Sequence, residues 1–454
     1  MNRKHMMVFV LLALCSSFSI FWGMAAERSA RGRIADFKLA YYDTRCLLRH
    51  CDPYSADEMW NVYVAEGNKV PTDPSQRRLI AKSMPTQVYL PSAFLFIAPF
   101  ALLSWPLAHA LWTALTAIAF TIASFLIFQI AAKHSADTAF CLICIMLVNC
   151  GVLFAGGNAA GIAVSLCVIA AWTFIEERFV ILGVLFLGAS LAIKPHDSGL
   201  IWLYFLLSGS VHRKRALQSL IVVAVLAVPA VMWVHQVAPN WLQEMPSNLL
   251  ATSARGGNAD PGPSSGMTSG PGTIIDLQTV FSVLRDDPRF YNIATYCVCG
   301  PLLLIWVFFV IRRGASTKGT NWLALAAISV LSLVPIYHRP YDAKLLLLTI
   351  PACAALRASG GLIGRLALLL TAAGIVATSD IPLAVGYVLT EDLHLSTDGL
   401  IGKIAAVLLT RFIPLVLLAS GAFYLWMYVR GYPGYAREET PTDPVEMERS
   451  SCGC

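Results

Sequence analysis

Apolar stretches long enough to cross a lipid bilayer recur along most of the chain, and this feature constrains the fold more than any other. The hydrocarbon core of a bilayer is about 30 Å thick, so a spanning helix needs roughly 20 mostly apolar residues. With 57% hydrophobic and only 13% charged residues, the chain is predicted to be an all-α polytopic membrane protein. Thirteen apolar segments occur, at residues 6–24, 87–104, 108–131, 138–155, 159–175, 179–193, 198–210, 215–236, 291–311, 320–336, 343–356, 361–379 and 406–429.

The basic residues indicate which of these segments cross. If all thirteen crossed from a cytoplasmic N-terminus, the cluster His212-Arg213-Lys214-Arg215 would lie outside, against the positive-inside rule. We therefore predict that 87–104, which Pro91 and Pro99 interrupt, is re-entrant and does not cross. About twelve transmembrane helices then remain, with both ends in the cytoplasm. The other basic residues predicted inside are Lys133, Arg178, Arg312, Arg313, Lys318, Arg357, Arg365 and Arg430.

The first apolar segment has some features of a signal peptide, with basic Arg3 and Lys4 ahead of it and small residues near Ala26. We interpret it as an uncleaved first helix, because its apolar core is long and a membrane domain follows.

The cysteines do not indicate a metal site. Cys141 and Cys144 form a C-x-x-C pair in an apolar segment without histidine at ligand spacing, which favours packing. Cys46 and Cys51 lie in a predicted outer loop, where a disulfide and free thiols both stay open. The terminal Cys452-Gly-Cys454 is not a prenylation box, and the sequence does not explain it.

Polar residues that could carry chemistry follow the first, fifth and ninth spans, on the predicted outer side. Asp36 comes just after the first helix, where a carboxylate could act as a general base, cap a helix, or be a solvated charge. Asp43, two helical turns further, could share the face of Asp36 or pair with nearby arginines.

The stretch "KPHD", residues 194–197, places ionisable groups between two apolar segments. Such groups are expensive at mid-bilayer, so they usually lie at an interface or in a functional cavity. Lys194 could bind an anion or extend its ammonium group from the helix end to the interface. Asp197 could orient His196 or cap the next helix, and the cap is favoured.

Several short motifs, in a fixed order and on one predicted side, resemble glycosyltransferase family 87. They are the pair Asp36-Phe37 followed by two tyrosines, "RHCDPYS" (49–55), "VYLPSAFLFIAPFALLSWPLAHALW" (88–112), "GGNAAGIAVSL" (156–166), "AIKPHDSGL" (192–200) and "HRPYDAKLLLL" (338–348). That family comprises polyprenyl-phosphate-mannose-dependent α-1,2-mannosyltransferases of the GT-C fold, and the resemblance runs from about 7 to 356. Cys51 and Gly157 depart from its pattern, which has glycine and glutamine there.

The resemblance implies a GT-C fold with juxtamembrane helices in the first outer loop and Asp36 as the catalytic base. It implies substrate-binding roles for Tyr41, Asp43, Tyr54, Asn158, Lys194, His196, Asp197, His338, Arg339, Tyr341, Lys344 and Arg411. For His338 and Arg339 the alternative is an ordinary hydrated loop. Arg411 could equally pair with Asp392 or Asp398.

The function implied is inverting transfer of a hexose, mannose by resemblance, from a polyprenyl-phosphate donor to an extracytoplasmic acceptor hydroxyl. The partners would be membrane lipid, the lipid-linked donor and a glycan or glycolipid acceptor, at a bacterial-type cytoplasmic (inner) membrane. Neither a nucleotide-binding motif nor a nucleic-acid partner is indicated, and no cofactor or metal is expected. The main rival is a transporter or flippase, which should carry internal repeats and charge deep within its spans; a scaffold protein is a third reading.

In this interpretation residues 1–236 form the catalytic module, with the outer loop 25–107. Residues 237–290 form a flexible outer loop, because 253–273 is rich in Gly, Ser and Pro. Residues 291–429 contain the C-terminal helices, and 430–454 form a cytoplasmic tail.

Overall fold

The computed structural model describes residues 3–29, 35–68, 87–262, 274–314, 317–382, 385 and 399–431. These residues form helices and connecting segments, without a β-strand among them. Asp392, Asp398, the stretch 432–454 and its two cysteines lie outside the described residues. The all-helical class predicted from the sequence is confirmed.

The described residues up to 262 form α-helices of very unequal length. They are α1 (Arg3–Ser29), α2 (Asp36–Leu48), α3 (Ala56–Ala65), α4 (Pro91–Ala101), α5 (Trp105–Val148), α6 (Gly151–Gly156), α7 (Ala160–Glu176), α8 (Val180–Ile193), α9 (Pro195–Leu207), α10 (Ser210–Val237) and α11 (Trp241–Ser253).

From residue 274 onwards a second group of helices follows. They are α12 (Gln278–Leu284), α13 (Pro288–Arg313), α14 (Lys318–Leu331), a 3₁₀ helix (Asp342–Thr349) that runs directly into α15 (Ile350–Ala358), α16 (Gly361–Ala377), α17 (Gly399–Thr410) and α18 (Ile413–Arg430). The predicted flexible loop 237–290 therefore contains helical structure, in α11 and α12.

Five helices of the described part are long and apolar enough to cross a membrane: Arg3–Ala25 within α1, then α5, α10, α13 and α18. The multi-pass prediction is confirmed, whereas the count of about twelve spans is not. Non-helical backbone at Ser135 interrupts α5, between the predicted segments 108–131 and 138–155. α4 has 11 residues, about 16 Å at 1.5 Å per residue, which is too short to span.

The last predicted span, 406–429, is two helices rather than one. α17 ends at Thr410 and α18 begins at Ile413, with Pro414 in the first turn of α18. Pro414 has no backbone N–H to donate to the carbonyl of Thr410, four residues earlier, and its ring would clash with that carbonyl, which accounts for the break. Arg411 lies in this break.

The centre of the protein consists of α7, α14 and the 3₁₀ helix, whose side chains are almost all buried. Small residues make this packing close, as in other membrane helix bundles. α7 lies against α8 at Gly183, where an added Cβ would overlap Thr173 and Phe174.

Three of the basic residues predicted inside, Lys133, Arg215 and Lys318, meet at one end of α7. Glu176, its last residue, lies 3.6 Å from the ammonium of Lys133 and 3.2 Å from that of Lys318. Arg215 lies 3.5 Å from the carboxylate of Glu177. Asn158 lies just before the other end of α7, about 25 Å away along its 17 residues. The bundle thus separates the basic loops from the predicted chemistry.

Candidate active site

The predicted base lies at the start of a helix and beside a second motif. Asp36 is the first residue of α2 and is partly buried. Its Oδ2 accepts a hydrogen bond of 2.7 Å from the side-chain amide of Asn158, in the turn before α7. Oδ1 of Asn158 accepts from Lys194 at 3.3 Å and from the backbone N–H of Ala160 at 2.9 Å. Three predicted site residues, from three distant stretches, are therefore joined.

Packing around Gly157 sets this geometry. Gly157 has a positive φ of 58°, which favours glycine, and an added Cβ would lie 2.7 Å from Cβ of Phe37. The Phe37 ring stacks on Trp112 at 4.4 Å, and the indole N–H donates to the carbonyl of Gly157 at 2.7 Å. Because Phe37 follows Asp36 directly, these contacts bring the carboxylate to Asn158. They also favour glycine at this position, where the resemblance led us to expect glutamine.

Lys194 lies at the break between α8 and α9. The residue before a proline avoids helical backbone, and Lys194, before Pro195, is extended with φ −152° and ψ 81°. Its side chain is buried and pairs with the carboxylate of Asp342, while Oδ2 of Asp197 lies 3.5 Å from its ammonium. The ring of Tyr341 lies 5.0 Å from the same ammonium. Lys194 therefore points into the protein and does not reach for the interface.

Asp342 organises the turn that carries His338 and Arg339. Its Oδ2 accepts a hydrogen bond of 2.7 Å from the backbone N–H of Arg339, and its Oδ1 pairs with Lys194. The segment beyond residue 273 braces this turn, since the N–H of Ile275 donates to the carbonyl of His338 at 3.0 Å. The second half of the chain thus contributes directly to the site.

The charges in this cluster influence one another strongly. Burial lowers the pKa of Lys194, but Asp197 and Asp342 outweigh it and hold that pKa above its usual value. Burial raises the pKa of Asp342, but Lys194 outweighs it and the pKa falls below its usual value. Burial and the neighbouring Asp342 raise the pKa of Asp197 to about 8. Lys194 and Asp342 therefore form the ionised pair.

Comparison with protein-family models finds one match, to glycosyltransferase family 87 over residues 88–336, which is more than half of the chain. The chain belongs to this family. Searches of curated proteins and of solved structures returned no match. The chain is thus a membrane glycosyltransferase, and membership of the GT-C superfamily fits its all-helical fold.

The family 87 match includes Asn158 and Lys194 but neither Asp36 nor Asp342. The structure brings those two residues to the matched ones. It also brings in Tyr89, whose hydroxyl lies 3.4 Å from the Asn158 amide nitrogen.

Two tyrosines of the glycosyltransferase motifs have structural partners. The hydroxyl of Tyr41 donates to the carbonyl of Leu103 at 2.7 Å. The hydroxyl of Tyr54 donates to the carbonyl of Tyr89 at 2.9 Å. The backbone N–H of Tyr54 donates to Oδ1 of Asp52 at 2.8 Å. The "DPY" turn thus holds the strip of chain that carries Tyr89, which makes Tyr54 a positioning residue.

Asp43 lies about 10 Å along α2 from Asp36. Seven residues apart in one continuous helix, Asp36 and Asp43 lie on the same helix face. The Asp43 carboxylate is buried and accepts a hydrogen bond of 2.5 Å from Gln87, and among the described residues no ion pair joins it to an arginine. Burial raises its pKa well above the usual value. Nearby, Cys46 and Cys51 form a disulfide, one of the two alternatives that the sequence left open.

Two predicted cations lie apart from this cluster. The ammonium of Lys344 donates to the carbonyl of Thr378 at 3.3 Å. The guanidinium of Arg411 donates to the carbonyls of Pro261 and Thr279 at 2.6 and 2.9 Å, and to the hydroxyl of Ser282 at 3.1 Å. Arg411 therefore fastens the region around α12 to the break before α18.

Sequence reasoning gave no role to Asp342, Tyr89 or Tyr337. Asp342 and Tyr89 lie inside two motifs of the family 87 resemblance, "HRPYDAK" and "VYLP", so their place in the order of motifs was an available signal. Tyr337, whose hydroxyl accepts a hydrogen bond from Arg339, precedes its motif by one residue.

Proposed function

We propose that this glycosyltransferase moves mannose from a polyprenyl-phosphate donor to an acceptor hydroxyl outside the cytoplasm, with inversion at the anomeric carbon. The observation that supports this best is the position of the Asp36 carboxylate, which the Asn158 amide holds by a hydrogen bond while buried Lys194 holds the amide from its other side. A hydroxyl is a poor nucleophile at neutral pH, and direct displacement needs a base on one side and charge stabilisation on the other.

In the proposed reaction Asp36 takes the proton of the acceptor hydroxyl as its oxygen attacks the anomeric carbon. The bond between that carbon and the phosphate oxygen breaks, and its electron pair leaves with the polyprenyl phosphate. Tyr89, beside Asn158, is placed to bond the sugar or the phosphate. No organic cofactor is needed in this step.

Arg339 is the stronger candidate for the leaving phosphate. Its guanidinium bonds the hydroxyl of Tyr337 and, at 3.0 Å, the carbonyl of Asn258, which are both neutral. Among the described residues no ion pair joins it to a carboxylate, whereas Lys194 is paired with Asp342. We therefore assign Arg339 to the phosphate and Lys194 to the organisation of the site. His196, His338 and Tyr341 lie around them.

The proposed topology has twelve spans, cytoplasmic ends and a site facing outward from a bacterial-type cytoplasmic membrane. The separation of Glu176 with its basic partners from Asn158, at opposite ends of α7, supports this arrangement. Residues 1–236 would form the catalytic module, completed by the turn 338–342 from the C-terminal helices.

The partners proposed are membrane lipid, the lipid-linked donor and a glycan or glycolipid acceptor, without nucleic acid. The direct test incubates purified protein in liposomes with membrane glycolipid extract and a panel of polyprenyl-phosphate sugars. We expect release of polyprenyl phosphate from the mannose-linked donor and transfer of the sugar to glycolipid. Transfer from nucleotide sugars, with no lipid phosphate released, would refute the proposal.

A further inference from the structure

Two imidazoles and one carboxylate converge beside Lys194. Oδ1 of Asp197 lies 3.5 Å from Nε2 of His196 and 3.8 Å from Nε2 of His338. The three ligand atoms all lie within 4.8 Å of one another. Asp197 and His338 are fully buried, whereas the side chain of His196 is 37% exposed, so the group is accessible from the protein surface.

The protonation state of His338 leaves a lone pair directed at this carboxylate. Its Nδ1 lies 3.0 Å from the carbonyl oxygen of Ile336, and a carbonyl can only accept. Nδ1 therefore carries the proton of the neutral ring, and Nε2 is an acceptor. In the described part of the chain neither this Nε2 nor Oδ1 of Asp197 has a hydrogen-bond partner. Two buried acceptors facing each other at 3.8 Å are unfavourable unless a proton or a metal ion lies between them.

We propose that His196, Asp197 and His338 bind a divalent transition-metal ion, with zinc as the best fit. Zinc bonds to imidazole nitrogen and carboxylate oxygen are about 2.0–2.2 Å long, which puts tetrahedral ligand atoms roughly 3.3–3.5 Å apart. The observed 3.5 and 3.8 Å need only a small contraction, whereas the two imidazole nitrogens, which lie within 4.8 Å of each other, must approach further. Magnesium and calcium prefer shells made of oxygen, which this donor set does not provide.

The surroundings suit a metal ligand set. A backbone carbonyl on the far nitrogen of a histidine ligand orients the ring, as Ile336 does for His338. The ammonium of Lys194 lies 3.5 Å from the other oxygen of Asp197 and attracts that carboxylate. Three protein ligands leave a fourth position open, as in catalytic zinc sites. A phosphate oxygen of the donor would fill that position; this role rests on the proposed function, whereas the metal site does not.

The proposed site departs from the expectation from the sequence that no metal is bound. Motif spacing could not indicate it, because His338 is more than 140 residues from His196 in the sequence.

Metal binding is measured without donor or acceptor, so the result is independent of glycosyl transfer. Protein purified without a polyhistidine tag, with Cys141 and Cys144 changed to serine, is equilibrated with micromolar zinc and desalted. We expect about one zinc per chain by mass spectrometry, and a visible d–d spectrum when cobalt replaces zinc. Zinc content should fall at least fivefold in both H196A and H338Q, with thermal unfolding showing that each variant folds.

His212→Gln is the matched control, since His212 is also buried but lies on α10 near the basic loops. It should keep its zinc. Zinc absent from the wild-type protein, or kept at full occupancy in H196A, which changes a partly exposed side chain, would overturn the site. If wild-type protein binds no zinc, the close approach of His338 and Asp197 is explained instead by a proton that the histidine and the carboxylate share.

Discussion

The side-chain amide of Asn158 connects Asp36 to Lys194, donating to Oδ2 of Asp36 at 2.7 Å and accepting from Lys194 at 3.3 Å. An amide is suited to this position because it carries a donor and an acceptor on one rigid group. In this account Asn158 holds the base in the orientation that the acceptor hydroxyl meets.

Asn158→Ala should therefore lower kcat about 10- to 100-fold, because misplacing a catalytic group by about 1 Å costs this much. The KM for the donor should change little, since the donor's phosphate is bound elsewhere. Steady-state kinetics in liposomes measure both. Asn149→Ala is the control and should leave kcat unchanged, because the side chain of Asn149 bonds only the carbonyl of Ile145 among the described residues. An equal loss in the two variants would contradict the assignment.

The buried pair of Lys194 and Asp342 should be important for stability. Removing one partner of a buried ion pair leaves an uncompensated charge and typically costs about 3–5 kcal/mol. Asp342→Leu and Lys194→Met should each destabilise the protein by about that much, and the double variant should recover part of the loss. Chemical unfolding in detergent tests this as a double-mutant cycle.

The exposed pair of Arg255 and Asp286, 2.6 Å apart, provides the comparison. Asp286→Asn should cost less than about 1 kcal/mol. Strictly additive losses in the Lys194 and Asp342 variants would show that the pair is not coupled.

Arg339→Gln should lower turnover on the order of 100-fold, since it removes a charge that stabilises the leaving phosphate. It should also weaken inhibition by the product, polyprenyl phosphate, which a structural role would leave unchanged. Inhibition constants of wild type and variant decide this. Arg255→Gln, a change at an exposed arginine, is expected to behave as wild type. Unchanged product inhibition in the Arg339 variant would show that another cation binds the phosphate.

The topology predicts which surface positions are reached from outside. Single cysteines at the exposed Ser253 and Ser359 are placed in a protein whose exposed and C-terminal cysteines are changed to serine. In intact cells an impermeant maleimide should label the cysteine at 253 and reach the one at 359 only after permeabilisation. Labelling in the reverse order would show that the membrane orientation is the opposite one and that the site faces the cytoplasm.

Local features of the sequence predicted some of the site, and tertiary packing decided the rest. Asp36, Asn158 and Lys194 were identified from motifs near helix ends, and they meet. Asp342 was missed because its partner Lys194 is 148 residues away in the sequence. Hydrophobic periodicity indicates local structure and cannot predict a contact between residues so far apart. The resemblance implied a substrate-binding role for Lys344 as for Lys194, but the ammonium of Lys344 donates to the carbonyl of Thr378.

Helices were predicted well where apolar runs were long, as in α10 and α13. The break before α18 was missed because the apolar run continues across Arg411, whereas Pro414, in the first turn of α18, prevents a continuous helix from Thr410. Twelve spans were counted from apolar composition, yet several helices of the centre are too short to qualify by length.

The central claim is that Asp36 is the base, and Asp36→Asn tests it most directly. Asparagine keeps the size of the side chain but cannot take a proton, and general-base catalysis contributes roughly 10²- to 10⁴-fold. Asp43→Asn is the matched control, since the buried Asp43 already has a raised pKa and should tolerate an amide. The measurement is the rate of mannose transfer from polyprenyl-phosphate mannose in liposomes, with donor binding measured alongside. We expect Asp36→Asn to fold, insert and bind donor but transfer at less than about 1% of the wild-type rate, while Asp43→Asn keeps substantial activity; near wild-type transfer by Asp36→Asn would contradict the account.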